Sequence, residues 1–515
     1  MILRARSVLR ECALLFQREL RQRGLKGLLA RLPRYLRRAL PVLAGMSGRA
    51  ASAMLASRES VAPLRLHPEL LDVDGQEGPC IEATISVLIP TLNAGTEFAH
   101  LMRKLRGQRG VLRIEIVVVD SGSTDGTVAL ARAAGALVIE IAPAGFSHSG
   151  ARNMAADAAT GDHVLFMVQD AYPLGDLWAH GMLRYLLDHQ ASGLVALSCT
   201  EYCRDDSDLF YECGMATHYG YLGCKDDDRI GMLTGTDQES LRAMGQLSDV
   251  ACLMRRDRFL QYRYRGHYAE DMDLGVRLIR DGHRIAMLAS VKVIHSHRRA
   301  SHYYLQRSFV DITFLSKLFV DFPVPACASA RGMVLGAQHV ARQMTAWSDM
   351  LLESGASGAV HAAADQWLRA LRQTPIDAGA ATRARHLNDE RVDAFLMKLA
   401  DDTEQLPHCS DLATESKLNN QAAREFVDAF TARFDHFNRY AARGHPGEDA
   451  LLIRQWIAAA AQSFAATLGF MLAALYLQRQ AHADSDQQSD SDSDLDLAPE
   501  RQWLERVAEQ LMAGV

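Results

Sequence analysis

The feature that most constrains this chain is a succession of apolar strand-like runs, each ending on or near a polar residue, with helical stretches between them. Ser86–Pro90 stops at a proline. Ile114–Asp120 stops at a carboxylate, Leu137–Ile141 follows, and Val164–Val168 ends two residues before Asp170. Helical patterns fill the intervals, at about Glu97–Gln108, Thr127–Ala134 and Ser149–Ala159. Strands alternating with helices at this spacing imply an α/β fold, a doubly wound, mostly parallel sheet with helices on both faces. In such sheets ligands bind beyond the carboxyl ends of the strands. Asn93, Asp120 and Asp170 all fall there.

The chain is long enough, at 515 residues, for roughly two to four domains. A 48% hydrophobic and 23% charged composition is that of a globular protein, and a net charge of −6 gives no global reason to expect nucleic-acid binding. The charge is unevenly placed. Residues 1–50 hold twelve Lys/Arg against Glu11 and Glu19, whereas Asp484–Asp496 is acidic and Ser-rich. The organisation expected is a basic helical segment at 1–80, the α/β domain at 82–320, a helical domain at 325–480, an acidic disordered linker at 482–498 and a short helix at 499–515. Arginines interleave with leucines from Arg18 to Leu40, a pattern that suits either an anionic membrane surface or a solvated helix packed on the main domain. Arg10, Glu11 and Arg18 interrupt any signal-peptide core. Trp456–Leu477 has the length of a membrane span, but its alanines together with Gln462, Ser463 and Thr467 read as a helix buried in the helical domain. The nine cysteines are odd in number and lack paired Cys-x-x-Cys spacing, so they read as free thiols in a reducing compartment rather than as disulfides or a zinc site.

Asp120 opens Asp-Ser-Gly-Ser-Thr-Asp-Gly-Thr. A carboxylate at a strand end can accept from a base N–H or from ribose hydroxyls, and Ser121, Gly122 and Ser123 let the backbone approach a ligand and cap the next helix. By itself the segment could be a turn and cap. Coming after Ile-Val-Val-Val and, some thirty residues earlier, Ile-Pro-Thr-Leu-Asn, it is far more specific.

The ordered segments Ser86–Asn93 (SVLIPTLN), Ile116–Thr127 (IVVVDSGSTDGT), Gly150–Asn153 (GARN), Phe166–Asp170 (FMVQD) and Ala269–Arg277 (AEDMDLGVR) resemble family 2 glycosyltransferases, which have the GT-A fold. The Val168-Gln169-Asp170-Ala171 version is most similar to the bacterial rhamnosyltransferase branch. The resemblance covers roughly 82–310. It implies that Pro90, Thr91 and Asn93 line a nucleoside pocket, with Ser121, Gly122 and Gln169 beside it, and that Asp120 holds the base or ribose. It implies that Arg152 contacts the ribose-diphosphate region, where a cation is appropriate. Asp170 stands at the second acidic position of the family's D-x-D metal motif, while Val168 replaces the first. A divalent cation, Mg2+ or Mn2+, would then be shared with His295, for which His297 is the alternative; a phosphate contact or a structural role are the competing readings for this histidine. An imidazole ligand tilts the preference toward manganese. Asp271 is implied as the base that takes the acceptor proton, with Glu270 orienting the acceptor or supporting the base. The same acidic residues could instead serve only to complement a helix N-terminus.

The expected activity is inverting transfer of a sugar, rhamnose or similar, from a dTDP- or UDP-linked donor to a hydroxyl of a surface glycan or lipid-linked acceptor. The expected location is the cytoplasm, peripheral to the inner face of the plasma membrane. The alternative, prompted by Val168, is a non-catalytic nucleotide-sugar-binding subunit that scaffolds polysaccharide assembly. A nucleotidyltransferase is disfavoured because no Gly-rich phosphate loop with a following lysine is present.

Overall fold

The computed structural model describes residues 80–204, 207–354, 360–376, 389–408, 411–444, 450–486 and 498–513. The basic segment at 1–79 and most of the acidic linker therefore lie outside the described residues. The chain divides into two compact units. The first takes the residues up to Ser207 together with Met215–Ser296, and the second takes Asp208–Gly214 and His297–Val515.

In the first unit nine strands form one sheet: β1 (Ile81–Thr91), β2 (Val111–Asp120), β3 (Leu137–Glu140), β4 (His163–Met167), β5 (Tyr172–Pro173), β6 (Leu194–Tyr202), β7 (Arg229–Gly231), β8 (Ala251–Arg255) and β9 (Arg284–Ile294). Their spatial order is β3-β2-β1-β4-β8-β6-β9-β5, with β7 also paired to β9. Strands β3, β2, β1 and β4 are mutually parallel. Strand β8 runs antiparallel to both β4 and β6, and β6 is parallel to β9. Two reversals restore the direction, so β1, β2, β4, β6 and β9 all point their carboxyl ends at one edge. There β8 contributes its beginning. Strands β5 and β7 are short antiparallel partners of β9.

Between the strands lie α1 (Phe98–Arg106), α2 (Thr127–Ala133), α3 (His148–Ala158), α4 (Trp178–Gln190), α5 (Leu209–Tyr221), α6 (Gln238–Met244), α7 (Arg256–Tyr262) and α8 (Glu270–Arg280). Consecutive residues Val87, Leu88 and Ile89, like Val117, Val118 and Val119, are completely buried, because both faces of the sheet are covered. This is why the strands read as continuous apolar runs. Helix α8 approaches its neighbour by main chain: a Cβ on Gly275 would sit 1.9 Å from the Gly245 carbonyl oxygen.

Strand β9 carries a bulge. Its pairing with β6 passes from Cys199–Leu288 directly to Thr200–Lys292, leaving three residues of β9 outside the ladder. Asp228 pins them, its carboxylate accepting from the Ala289 and Ser290 amides at 2.8 and 2.7 Å and from the Ser290 hydroxyl at 2.8 Å. The mixed-charge run Lys225–Arg229 thus supplies a strand-shaping carboxylate.

The second unit is helical: α9 (Ser301–Leu318), α10 (Ala330–Ser354), α11 (Val360–Gln373), α12 (Glu390–Glu404), α13 (Leu412–Gly444), α14 (Ala450–Asp486) and α15 (Ala498–Met512). Phe426, Phe430, Phe434 and Phe437 recur at helical spacing along α13 and are buried. Trp347 and Trp367 stack beside them at 4.6 Å. Within α14, Leu452–Ala481 is long and apolar enough to cross a membrane by length and composition. An 18-residue apolar stretch of it is 89% buried inside the structure. Two of its polar side chains donate out of the helix: Trp456 Nε1 to Asn438 Oδ1 at 2.7 Å, and Gln462 to the Arg299 carbonyl at 2.9 Å.

Candidate active site

The sheet edge collects the candidate residues in three groups. The first is a loop pair at the ends of β1 and β2. Asp120, the last residue of β2, is buried and accepts four hydrogen bonds: from the Gly122 and Ser123 amides at 3.1 and 2.8 Å, and from the Thr91 and Ser123 hydroxyls at 2.8 and 2.6 Å. Burial opposes its ionisation, but these donors outweigh it and hold the carboxyl below its ordinary range. Two carboxylate oxygens offer about four acceptor positions, and all four are taken. The Asp120 carboxylate thus organises the loop, and a base or ribose N–H or O–H bound to it would exchange with one of these donors.

The rest of this group is laced across the two loops. Ser121 donates to the Thr91 carbonyl through both its amide, at 3.0 Å, and its hydroxyl, at 3.1 Å. Asn93 has a left-handed backbone (φ 46°) and accepts from the Thr124 amide at 2.8 Å. Its own amide donates to the Ser123 hydroxyl at 2.7 Å. Gln169 exchanges two hydrogen bonds with the Leu92 backbone, at 2.9 and 3.2 Å. Pro90 pairs with Val119 one step before the edge. Gly122 (φ 101°) is a position only glycine fills easily, since a Cβ there would meet Pro143 Cγ at 3.0 Å.

The second group gathers at the ends of β4, β6 and β9. Asp170 Oδ1 lies 3.6 Å from His295 Nε2. On the other side of the ring, His295 Nδ1 donates to Glu201 Oε2 at 2.6 Å. Burial lowers the imidazole pKa, but Glu201 and Asp170 reverse that effect and raise it. His297 follows two residues along the chain. Within the first unit, Asp170 and His295 belong to the one group of three or more His, Cys, Asp or Glu residues, among the described residues, whose potential metal-ligand atoms all lie within 4.8 Å of one another. Carboxylate oxygen with imidazole nitrogen is a donor set that suits a divalent first-row cation, so these residues fit the expected metal. Val168, at the missing acidic position, packs against the sheet's apolar core. The seven described cysteines are free thiols.

The third group is built around Arg152, which is 1% exposed. Its guanidinium donates to Glu270 Oε1 at 2.8 Å and ion-pairs with Asp249. Burial would strip its proton, but these two carboxylates hold it in place. The structure places Arg152 in a buried ion-pair cluster with Asp249 and Glu270. Asp271 is held differently. Its oxygens accept from the Met272 amide at 2.7 Å and the Asp249 amide at 3.3 Å. Burial, then Asp249, then Glu270 push its carboxyl well above the carboxylate range, to about 7. Ala269, immediately before α8, adopts a left-handed conformation (φ 47°, ψ 40°) that turns the chain into the helix. Asp273 pairs with Arg277 at 2.8 Å along the helix.

The family described as Glycosyl transferase family 2 matches residues 86–235, the stretch that supplies the first group and Asp170. Over these residues the chain matches a family 2 glycosyltransferase domain. Curated relatives include the O-antigen chain rhamnosyltransferases WbaN of Salmonella anatum, 25% identical over 233 residues, and RfbN of Salmonella typhimurium, 26% identical over 231. Each match covers 44% of this chain and 70% of the relative. Among solved structures, glucosyl-3-phosphoglycerate synthase from Mycobacterium tuberculosis, in complex with Mn2+, UDP and glucosyl-3-phosphoglycerate, is similar at 20% identity and a TM-score of 0.32, covering 45% of this chain and 79% of that one.

Two residues of the glycosyltransferase domain's edge escape a reading of the sequence. Glu201 stands at the end of the buried run Leu194–Thr200, the same strand-end signal that marks Asp120. Asp249 stands before an apolar run, and only the reversed direction of β8 brings it to the edge where the other strands finish.

Proposed function

We propose that the protein is an inverting glycosyltransferase that moves a sugar, rhamnose or a similar hexose, from a dTDP- or UDP-linked donor to a hydroxyl of a surface glycan or lipid-linked acceptor. The observation that carries this reading is Asp271. A half-buried carboxyl poised near neutrality, at the same sheet edge as the donor-loop motifs, is suited to take a proton at physiological pH. The acceptor oxygen attacks the anomeric carbon on the face opposite the leaving diphosphate while Asp271 accepts its proton, and one such displacement inverts configuration. Glu270, already engaged by Arg152, supports this arrangement instead of competing as base.

On the donor side, Pro90, Thr91, Asn93, Ser121, Gly122 and Gln169 form the wall against which a nucleoside would lie, with Asp120 setting its shape. Asp170 and His295 would hold the divalent cation, which supplies charge neutralisation for the departing diphosphate. The similarity to O-antigen chain rhamnosyltransferases supports rhamnose as donor sugar and a polysaccharide acceptor. The basic stretch Arg18–Leu40 supports a place at the cytoplasmic face of an anionic membrane.

The test is turnover of purified protein with dTDP-rhamnose and UDP-sugars in Mg2+ or Mn2+, with the anomeric configuration of the product read by NMR. A retained configuration overturns the mechanism. Val168 favours a second reading, a donor-binding scaffold without catalysis. Tight donor binding by calorimetry with no turnover across a broad acceptor panel selects it.

A further inference from the structure

We propose that Glu201 is a positioning residue for the divalent cation, holding the His295 ring so that Nε2 faces the cation beside Asp170. The inference rests on the metal-assisted reading above and adds to it a residue outside the ligand set.

The geometry runs outward in one line. Tyr219, buried, donates its hydroxyl to Glu201 Oε1 at 3.1 Å and receives the Glu201 amide at 3.0 Å. The other oxygen, Oε2, takes the proton of His295 Nδ1 at 2.6 Å, and both side chains are almost wholly buried, at 6% and 7% exposure. Nε2 then points to Asp170, which is 42% exposed. An imidazole that coordinates through Nε2 must keep its proton on Nδ1. A carboxylate accepting that proton fixes the tautomer and the ring plane and makes the opposite nitrogen a better donor.

The β9 bulge makes this alignment possible. It brings Glu201 opposite Val293 and Tyr202 opposite Ile294, and the His295 amide then donates to the Tyr202 carbonyl at 3.1 Å. Without the three bulge residues, two of which Asp228 pins, the ladder would continue from Leu288 to Ala289, and Glu201 would face Ser290. Lys292 locks the shifted register by donating to the Thr200 hydroxyl at 2.8 Å.

The experiment is Mn2+ titration of the full chain, alone and with UDP or dTDP, followed by calorimetry and by loss of the free-ion paramagnetic signal. Glu201→Gln is expected to weaken Mn2+ binding by about 10–100-fold, and Tyr219→Phe by less. Glu201→Asp should recover part of the loss. If the unaltered protein binds no Mn2+ under any of these conditions, the metal reading fails and the inference with it. If it binds Mn2+ and Glu201→Gln binds equally well, the inference alone fails. A second measurement does not depend on the variant folding. The 15N spectrum of the histidine rings in the unaltered protein, taken above the imidazole titration, should show His295 protonated at Nδ1, and the Nε2-protonated tautomer overturns the proposal.

Discussion

On the β1–β2 side of the sheet edge, polar groups satisfy one another. Asp120, Thr91, Ser121, Ser123 and Asn93 form a closed set of hydrogen bonds across two loops adjacent in the sheet. On the β8–β6–β9 side, charged groups meet instead: one buried arginine, the carboxylates Asp249, Glu270 and Asp271, and the Asp170–His295–Glu201 line. The first side is a stiff receptor whose shape is complete in itself. The second sets carboxylates close to one another, and burial, with Asp249 and Glu270 behind it, raises the Asp271 carboxyl. A preformed wall suits an invariant nucleotide, whereas unbalanced charge suits a step in which a proton and a leaving anion move.

The comparison predicts different failures on the two sides. The largest effect is expected at the proposed base: Asp271→Asn should reduce turnover by about 10²–10⁴-fold while leaving donor affinity within about twofold by calorimetry. Undiminished turnover would sink the division of labour. In the unaltered protein, activity should rise through an apparent pKa near 7 and level off above it, because the deprotonated carboxyl is the active form. Stability should move the other way. The folded state raises this carboxyl from 3.8 to about 7, so it binds the proton more tightly than the unfolded chain does. The stability that preference provides is present below about pH 4 and is lost as pH rises to about 7. Asp271→Asn should therefore melt at a higher temperature than the unaltered protein at pH 8.

Next in size is Arg152→Leu. Leaving Glu270 and Asp249 without their cation should cost about 3–5 kcal/mol by urea denaturation. A loss of donor affinity without loss of stability would instead return Arg152 to the diphosphate. On the other side, Asp120→Asn should cost about 1.5–3 kcal/mol and weaken donor binding more than it slows the bound-state step. A fall in kcat with KM unchanged would contradict its role as a wall. Smallest of all, Ala269→Gly should relieve the left-handed backbone and change stability by less than about 1 kcal/mol, with activity close to unaltered.

The two sides also differ in how far they can be read from the sequence. The donor loops are local: Thr91 and Asn93 lie within one strand end, Asp120 to Thr127 within one turn, and parallel pairing brings the two together almost by rule. The charged side draws residues from positions 152, 170, 201, 249, 270 and 295, and their meeting depends on pairings that no local pattern announces. Asp249 needed the reversal of β8, and Glu201 needed the register set by a bulge. The buried arginine shows the same limit. Arg152 is visible as a cation in a motif, but its ion-pair partners Asp249 and Glu270 lie far along the chain, where no local pattern marks them. The helical unit was legible as helix from its periodicity, and its aromatic core along α13 follows from spacing alone.

The contact between Gly275 and the Gly245 carbonyl has a consequence for how such a protein can diversify. Packed interfaces usually drift by exchanging one side chain for another, which tilts or slides an element by small steps. The helix that begins with Glu270 and Asp271 has no side chain at this contact to exchange, and any Cβ at Gly275 collides with main chain. The proposed base is thus mounted on a stop that substitution can break but cannot adjust, and new acceptors would have to be accommodated by reshaping the loops around it.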